Sequence, residues 1–103
     1  MSTATGNILS INGSKFTSVF IIDEIQYSFV GSISPSVQPF NCSNAVLTYG
    51  SVDDLTTSRG FEGQVGVTKI TVTVENGVTI SGRLNVQLSP ATSISGGGTW
   101  TSN

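Results

Sequence analysis

A chain of 103 residues, 37% of them apolar and 10% charged, can build one hydrophobic core but not two. The net charge is −2 with only four Lys and Arg residues, which argues against nucleic acid as a partner because such binding neutralises several phosphates. No stretch approaches the ~20 consecutive apolar residues that a membrane-spanning helix needs. We therefore expect a single domain over residues 1–103 that neither binds nucleic acid nor inserts into a membrane.

The first half of the chain alternates apolar and polar residues between turn signals, a pattern typical of short strands. The strands predicted here cover residues 7–12, 15–22, 25–30 and 44–50. Asn12-Gly13 predicts a turn, and Asp23-Glu24 interrupts a dense apolar run and marks a strand break. Residues 31–40 are expected to be a loop or an edge strand, since Pro35 and Pro39 each remove a backbone donor.

Residues 51–59, "SVDDLTTSR", carry the one local signal for a helical turn in the chain. Ser51 would cap the turn, and Asp53 and Asp54 would lie in its first turn, where acidic side chains are favourable. A surface loop fits this segment equally well.

The clearest pattern is "KITVTVENGVTISGRL", residues 69–84, which alternates apolar and polar side chains on both sides of one turn. A two-residue Asn-Gly loop would place an apolar side chain opposite a polar one. A three-residue loop, residues 75–77, instead places Val74 opposite Val78 and keeps each face uniform. Gly77 would then take the positive φ that such a loop requires.

The tail, "SPATSISGGGTWTSN", adds a short strand around Ile94, so that the sequence predicts seven to nine short strands. Turn signals every 8–12 residues are typical of an antiparallel sandwich or barrel. Each strand has one apolar face, and two sheets packed face to face would bury both sets. We therefore predict an all-β antiparallel sandwich of two sheets, with a small barrel as the alternative.

The side chains argue against catalysis. The chain has no histidine, which is the usual proton carrier near neutral pH. A carboxylate pair meeting across two strands, as in glycosidases, is the remaining catalytic alternative. The single cysteine, Cys42, cannot form a disulfide within the chain, and a buried unreactive thiol is the expected role. We predict that the protein is not an enzyme.

A metal site is the next alternative. Asp53 and Asp54, joined by Asn41, Asn44 or backbone carbonyls, could hold a hard cation such as Ca²⁺. Adjacent acids in a loop are more often only solvated, and the ordered spacing of a calcium-binding loop is missing from the sequence. We expect no metal and no cofactor.

Carbohydrate suits this set of side chains best among ligand classes. A sugar is neutral and rich in hydroxyls, so it needs hydrogen bonds from Asp, Asn and backbone amides, with an aromatic ring against its apolar face. The candidate contact residues, in or beside loops, are Asp53, Asp54, Asn41, Asn44, Tyr49 and Trp100. For Trp100, after the glycine run "SGGG", packing over a sheet edge is the alternative to a ligand contact.

The length, the all-β pattern, the Ser/Thr/Gly/Asn-rich composition and the single tryptophan resemble the small slime-mould haemagglutinins, including the hairpin "VTKITVTVENGVTISGRLNVQL". That resemblance implies a sandwich akin to legume lectins and galectins, binding of glycoprotein glycans, agglutination of cells, and export. Agglutination would require two or more sites, reached by self-association. The start "MSTATGNILS" has no secretory signal pattern, so we expect an extracellular protein exported by an unconventional route, with the cytoplasm as the alternative.

The alternative function is a structural or self-assembly module, such as a capsid, fibre or adhesin piece, whose sheet edges or faces pair with other chains. An exposed apolar patch would favour this alternative. A polar concave face flanked by loop Asp, Asn and one aromatic side chain would favour the lectin.

Overall fold

The computed structural model of the chain describes residues 2–10 and 12–102. Six antiparallel strands make up most of them: β1 (Ser2–Ser10), β2 (Lys15–Ile22), β3 (Ile25–Ser34), β4 (Phe40–Tyr49), β5 (Ser58–Val74) and β6 (Thr79–Ser102). Two short 3-10 turns, Val52–Asp54 and Glu75–Gly77, precede β5 and β6. Over the described ranges, no helix combines the length and apolar character needed to cross a bilayer.

The turns form where the sequence predicts them. Asp23 and Glu24 are the two-residue loop of the β2–β3 hairpin, with Ile22 paired to Ile25 and with φ values of 51° and 69°. Such a loop matches the twist of the flanking strands only when both central residues have positive φ. The predicted cap at Ser51 is also confirmed, because its hydroxyl accepts a hydrogen bond from the Asp53 N–H at 3.2 Å.

The β5–β6 hairpin has the three-residue loop expected from the alternation. The Val74 N–H donates to the Val78 carbonyl at 2.7 Å, and Thr73 and Val72 pair with Thr79 and Ile80. Gly77 has φ +85°. The predicted register is therefore confirmed, since a one-residue slip would have turned the buried valines outward.

The predicted two-sheet sandwich is wrong. The strands form one sheet in the order β3-β2-β1-β4-β6-β5, and an additional β3–β6 pairing closes five of them, all but β5, into an antiparallel barrel. Closure is possible because β6 is long enough to pair with β4 through residues 79–82 and with β3 through residues 95–102. Closing the sheet pairs backbone groups that would otherwise lie at open edges.

The expectation of seven to nine short strands also fails, because β5 has 17 residues and β6 has 24. The ladder between β5 and β6 shifts register between Val65 and Val67, and Val65 pairs with Thr92 while Val67 pairs with Leu88. Pro90 therefore lies in a bulge, where a missing N–H breaks no ladder bond. Proline and glycine bend these strands here without ending them.

The barrel interior is filled by side chains from every strand, with an aromatic cluster at one end. Phe16, Phe29, Phe61 and Trp100 are all buried, and the ring centroids of the contacting pairs lie 4.8–6.0 Å apart. Tilted and edge-on contacts of this kind favour aromatic pairs beyond the burial of their area. The cluster joins β2, β3, β5 and β6, and so holds the closing strands together.

We expect Gly77→Ala to destabilise the fold by about 1 kcal/mol, because an L side chain disfavours a positive φ. A Cβ at this position would have no atom within 4 Å, so backbone strain is the one cost. The control is Gly97→Ala, whose Cβ would meet its nearest neighbour, the Arg59 carbonyl oxygen, at 3.7 Å. Urea unfolding of both variants measures the difference, and equal stabilities would contradict the hairpin geometry.

Candidate functional site

The site arises from the bend in β5. At Gly66 the backbone takes φ +101° within the bulge, and the two halves of the strand come alongside each other. A Cβ on Gly63 would collide with the backbone of Thr71 and Val72, so the halves are in direct backbone contact there. Glycine at position 63 is therefore required for this approach.

A groove of about 470 Å³ runs along the seam between the two halves of β5. Its lining combines carboxylate, hydroxyl and exposed backbone groups: Gly60, Phe61, Glu62, Thr73, Val74, Glu75, Ser95 and Gly96. An adjoining depression of about 500 Å³ shares Glu62, Thr73 and Ser95 and extends to Pro35. We call these two together the seam groove. Cavities of this size suit a small ligand.

Glu75 is fixed at one side of the seam groove. Its Oε1 accepts a hydrogen bond from the Gly60 N–H at 2.7 Å, and a Cβ on Gly60 would lie 3.3 Å from the Glu75 carboxyl carbon. Glycine therefore leaves room for the carboxylate against the β5 backbone. The second oxygen of Glu75 remains available as an acceptor for a ligand.

Glu62 is the second carboxylate in the seam groove, and its side chain is exposed. Within residues 2–10 and 12–102, no protein group forms a hydrogen bond or ion pair with that carboxylate. Thr73 and Ser95 add hydroxyls that can donate or accept. The seam groove therefore offers acceptors, hydroxyls and main-chain groups, and its lining has no cationic side chain.

A second depression, of about 450 Å³, continues from Gly60 over the outer surface of β3, β5 and β6. Gly97 and Gly98 form part of it, so the main chain is exposed there. Arg59 lies at its rim, and its Nε donates to the Thr56 carbonyl at 3.3 Å. Arg59 thus lines the neighbouring depression and not the seam groove.

The residues predicted from sequence do not line the seam groove. Asp53 is exposed in the 3-10 turn after β4, and Asp54 is partly buried beside it. Asn41 and Asn44 are exposed on β4. Eight residues of strand separate Asn41 from Tyr49, a distance of about 26 Å at ~3.3 Å per residue. The fold thus spreads these candidates along β4 and the following turn.

The two candidate aromatic rings lie in the core. Trp100 is 4% exposed and packs against Phe29 with ring centroids 4.8 Å apart, and Tyr49 is also buried. Among the described residues, the buried indole N–H of Trp100 has no hydrogen-bond partner. The ring of Trp100 thus packs inside the core and not over a sheet edge, which was the alternative that the sequence left open.

The fold also determines the environment of the Cys42 thiol and the positions of the acidic side chains relative to one another. Burial raises the pKa of the Cys42 thiol, and a backbone hydrogen bond from Asn44 acts in the opposite direction. A raised pKa keeps the thiol protonated and a poor nucleophile at neutral pH. In the described part of the chain, no cluster of three or more Asp, Glu, Cys or His side chains is placed to hold a metal ion.

Sequence reasoning missed Glu62, Thr73 and Ser95 because each is a polar residue on a strand, with no motif around it. A signal was nonetheless present in the glycines. Gly60, Gly63 and Gly66 recur every third residue within one strand, where glycine is disfavoured unless backbone must approach closely. This spacing of glycines indicates where the two halves of β5 lie alongside each other.

No family model, no curated protein and no solved structure matches this chain. The function must therefore be argued from the surface itself.

We expect the fluorescence of Trp100 to be blue-shifted and weakly quenched by acrylamide, because the indole is 4% exposed. Unfolding in urea should make quenching efficient, which provides the control within the same sample. Strong quenching in the folded protein would contradict the burial of Trp100 and restore it as a ring available for stacking.

Proposed function

We propose that the protein is a carbohydrate-binding lectin whose sugar site is the seam groove. The single observation that supports this proposal is the lining of the groove, where Glu62, Glu75, Thr73 and Ser95 surround exposed glycine backbone. Sugar hydroxyls both donate and accept hydrogen bonds, and this lining supplies partners of both kinds. The site needs no metal, cofactor or histidine.

The charge of the seam groove determines which sugars it would accept. Two carboxylates and no cationic side chain line it, so an acidic sugar would face electrostatic repulsion from the groove. Neutral oligosaccharides can donate hydroxyls to the same oxygens, and a charged acceptor strengthens such hydrogen bonds. The proposed ligands are therefore neutral glycans on glycoproteins or cell surfaces, and sialylated ones should be excluded.

Binding at one groove would be weak, because no exposed aromatic ring lines it for a sugar to stack on. Hydrogen bonds exchanged with water contribute only about 0.5–1.5 kcal/mol each. Agglutination of cells would then depend on several sites acting together, through self-association or clustering on a surface.

We expect a glycan array at neutral pH to show binding to neutral oligosaccharides, unchanged by a chelator. Glu62→Gln should weaken that binding about tenfold or more, because hydrogen bonds to charged groups contribute ~1.5–3 kcal/mol. The matched control is Glu24→Gln in the β2–β3 turn, which is exposed and lies at the opposite end of β3 from Ile33, the ladder partner of Gly96 in the seam groove. Binding to no glycan, or equal loss in both variants, would overturn the proposal.

Self-assembly remains a second candidate, favoured by exposed apolar side chains on β1, β2 and β3. Leu9 and Val30 are 48% and 45% exposed and flank Thr17 on the outer face, and Ile21 on the same strand is 56% exposed. Apolar groups grouped on one outer face often mark a surface that another chain covers.

If assembly uses this surface, Ile21→Thr and Val30→Thr should shift the protein toward monomer in analytical ultracentrifugation. Thr is similar to Val in shape, so the change removes apolar character with little effect on strand propensity. The control is Val86→Thr, a residue that is 70% exposed on β6. A wild-type protein that is monomeric across the concentration range would exclude this candidate.

A further inference from the structure

The outer face formed by β1, β4, β6 and β5 carries hydroxyl side chains in two aligned rows. The first row is Thr3, Thr48, Thr79 and Thr73, each paired with the next across the strands. The second row is Thr5, Val46, Ser81 and Thr71, paired in the same way, so seven of the eight residues carry a hydroxyl and Val46 is apolar. We call these eight residues the hydroxyl face.

The spacing of the hydroxyl face is regular in both directions. No register shift falls between the paired residues, so neighbours are about 4.8 Å apart across strands and about 6.7 Å apart along them. The alternate residues Leu47, Ile80 and Val72 are fully buried, which forces the hydroxyl face outward. Its regularity is therefore enforced by the core behind it.

Twist and barrel closure leave the register between paired neighbours unchanged. Strands in a sheet rotate by about 20–25° relative to their neighbours, and β1, β4 and β6 also curve around the closed barrel, but each residue keeps its ladder partner. The γ-methyl and γ-hydroxyl of Thr are stiff at χ1, so their positions follow the backbone.

The hydroxyls of this face are unused by the fold. Over the part of the chain that the structure describes, none of the seven Thr and Ser hydroxyls of this face makes a hydrogen bond to another protein group. Elsewhere the same residue types are engaged, as in the pair Ser58 and Thr99, whose hydroxyl oxygens lie 3.1 Å apart. Free hydroxyls at a fixed spacing can bind a ligand that itself repeats.

The charge of the hydroxyl face and its lack of an exposed aromatic ring limit the class of ligand that it can bind. The hydroxyl face has no charged side chain of its own. Lys69 and Arg83 are ladder partners in the adjacent row on one side, and Glu62 and Glu75 line the seam groove beside Thr73 on the other. The described aromatic residues are buried except for the partly exposed Tyr27 on β3, so the face has no ring for sugars to stack on. A ligand that matches this face is uncharged, has a repeating structure, and carries hydrogen-bond donors and acceptors.

We propose that the hydroxyl face adsorbs to ice. A crystal of water is an uncharged lattice of donors and acceptors, and each Thr hydroxyl can replace a lattice hydrogen bond while its methyl lies between lattice waters. A single contact is weak, but the eight positions are fixed together, so their contributions combine as in multivalent binding. This activity is independent of the seam groove, apart from Thr73 at its border.

The test is ice recrystallisation inhibition and thermal hysteresis with the full 103-residue chain. We expect wild type to inhibit crystal growth, and Thr48→Lys and Thr79→Lys to need roughly tenfold or more protein for the same inhibition. Thr17→Lys, on the outer face of β2, is the matched control and should match wild type. Circular dichroism melting verifies that each variant is folded.

An inactive wild-type protein would overturn the proposal without touching the proposed sugar site. Equal inhibition by Thr48→Lys, Thr79→Lys and wild type would show that the hydroxyl face is not the surface used, and equal loss in Thr17→Lys would do the same. Binding to crystalline cellulose or chitin with no effect on ice would assign the face to a polysaccharide instead. Glu62→Gln should retain ice activity, which separates the two sites.

Discussion

The structure depends on the double pairing of β6, which hydrogen-bonds to β4 near its start and to β3 near its end. Backbone groups left at an open edge would need water or another chain as partners. By pairing with both edges of the four strands β3-β2-β1-β4, which have the Greek-key order, β6 closes the barrel and leaves β5 as the added strand. The aromatic cluster of Phe16, Phe29, Phe61 and Trp100 lies behind this closure and fills the space that it encloses.

The long β5–β6 hairpin also produces both surfaces to which we assign functions. Its bulge near Gly66 folds β5 against itself and opens the seam groove, while the regular ladder beyond the bulge carries half of the hydroxyl face. Two neighbouring register shifts, between Val65 and Val67 and between Val67 and Lys69, therefore separate the concave surface from the regular one. Both surfaces obtain polarity from hydroxyls and main chain, which is consistent with a chain that is only 10% charged.

The candidate site could be predicted from the sequence only in its chemistry. A scarcity of charge, an abundance of hydroxyls and the lack of histidine lead us to expect a binding protein with polar contacts, an expectation that rests on composition alone. Its position depends on which residues meet, and Glu62 approaches Thr73 only because β5 bends between them. The glycines beside Trp100 predict an accessible ring, yet the barrel places that ring against Phe29 in the core.

Local features of the fold were determined by the sequence itself. The loop at residues 75–77, the turn at Asp23 and Glu24 and the cap at Ser51 each depend on a few adjacent residues, whose alternation and φ preferences are independent of the rest of the chain. Closure into a barrel was decided only by the tertiary structure. Whether Pro90 ends a strand or lies in a bulge, and whether residues 95–102 meet β3, depends on twist and register accumulated over strands far apart in sequence.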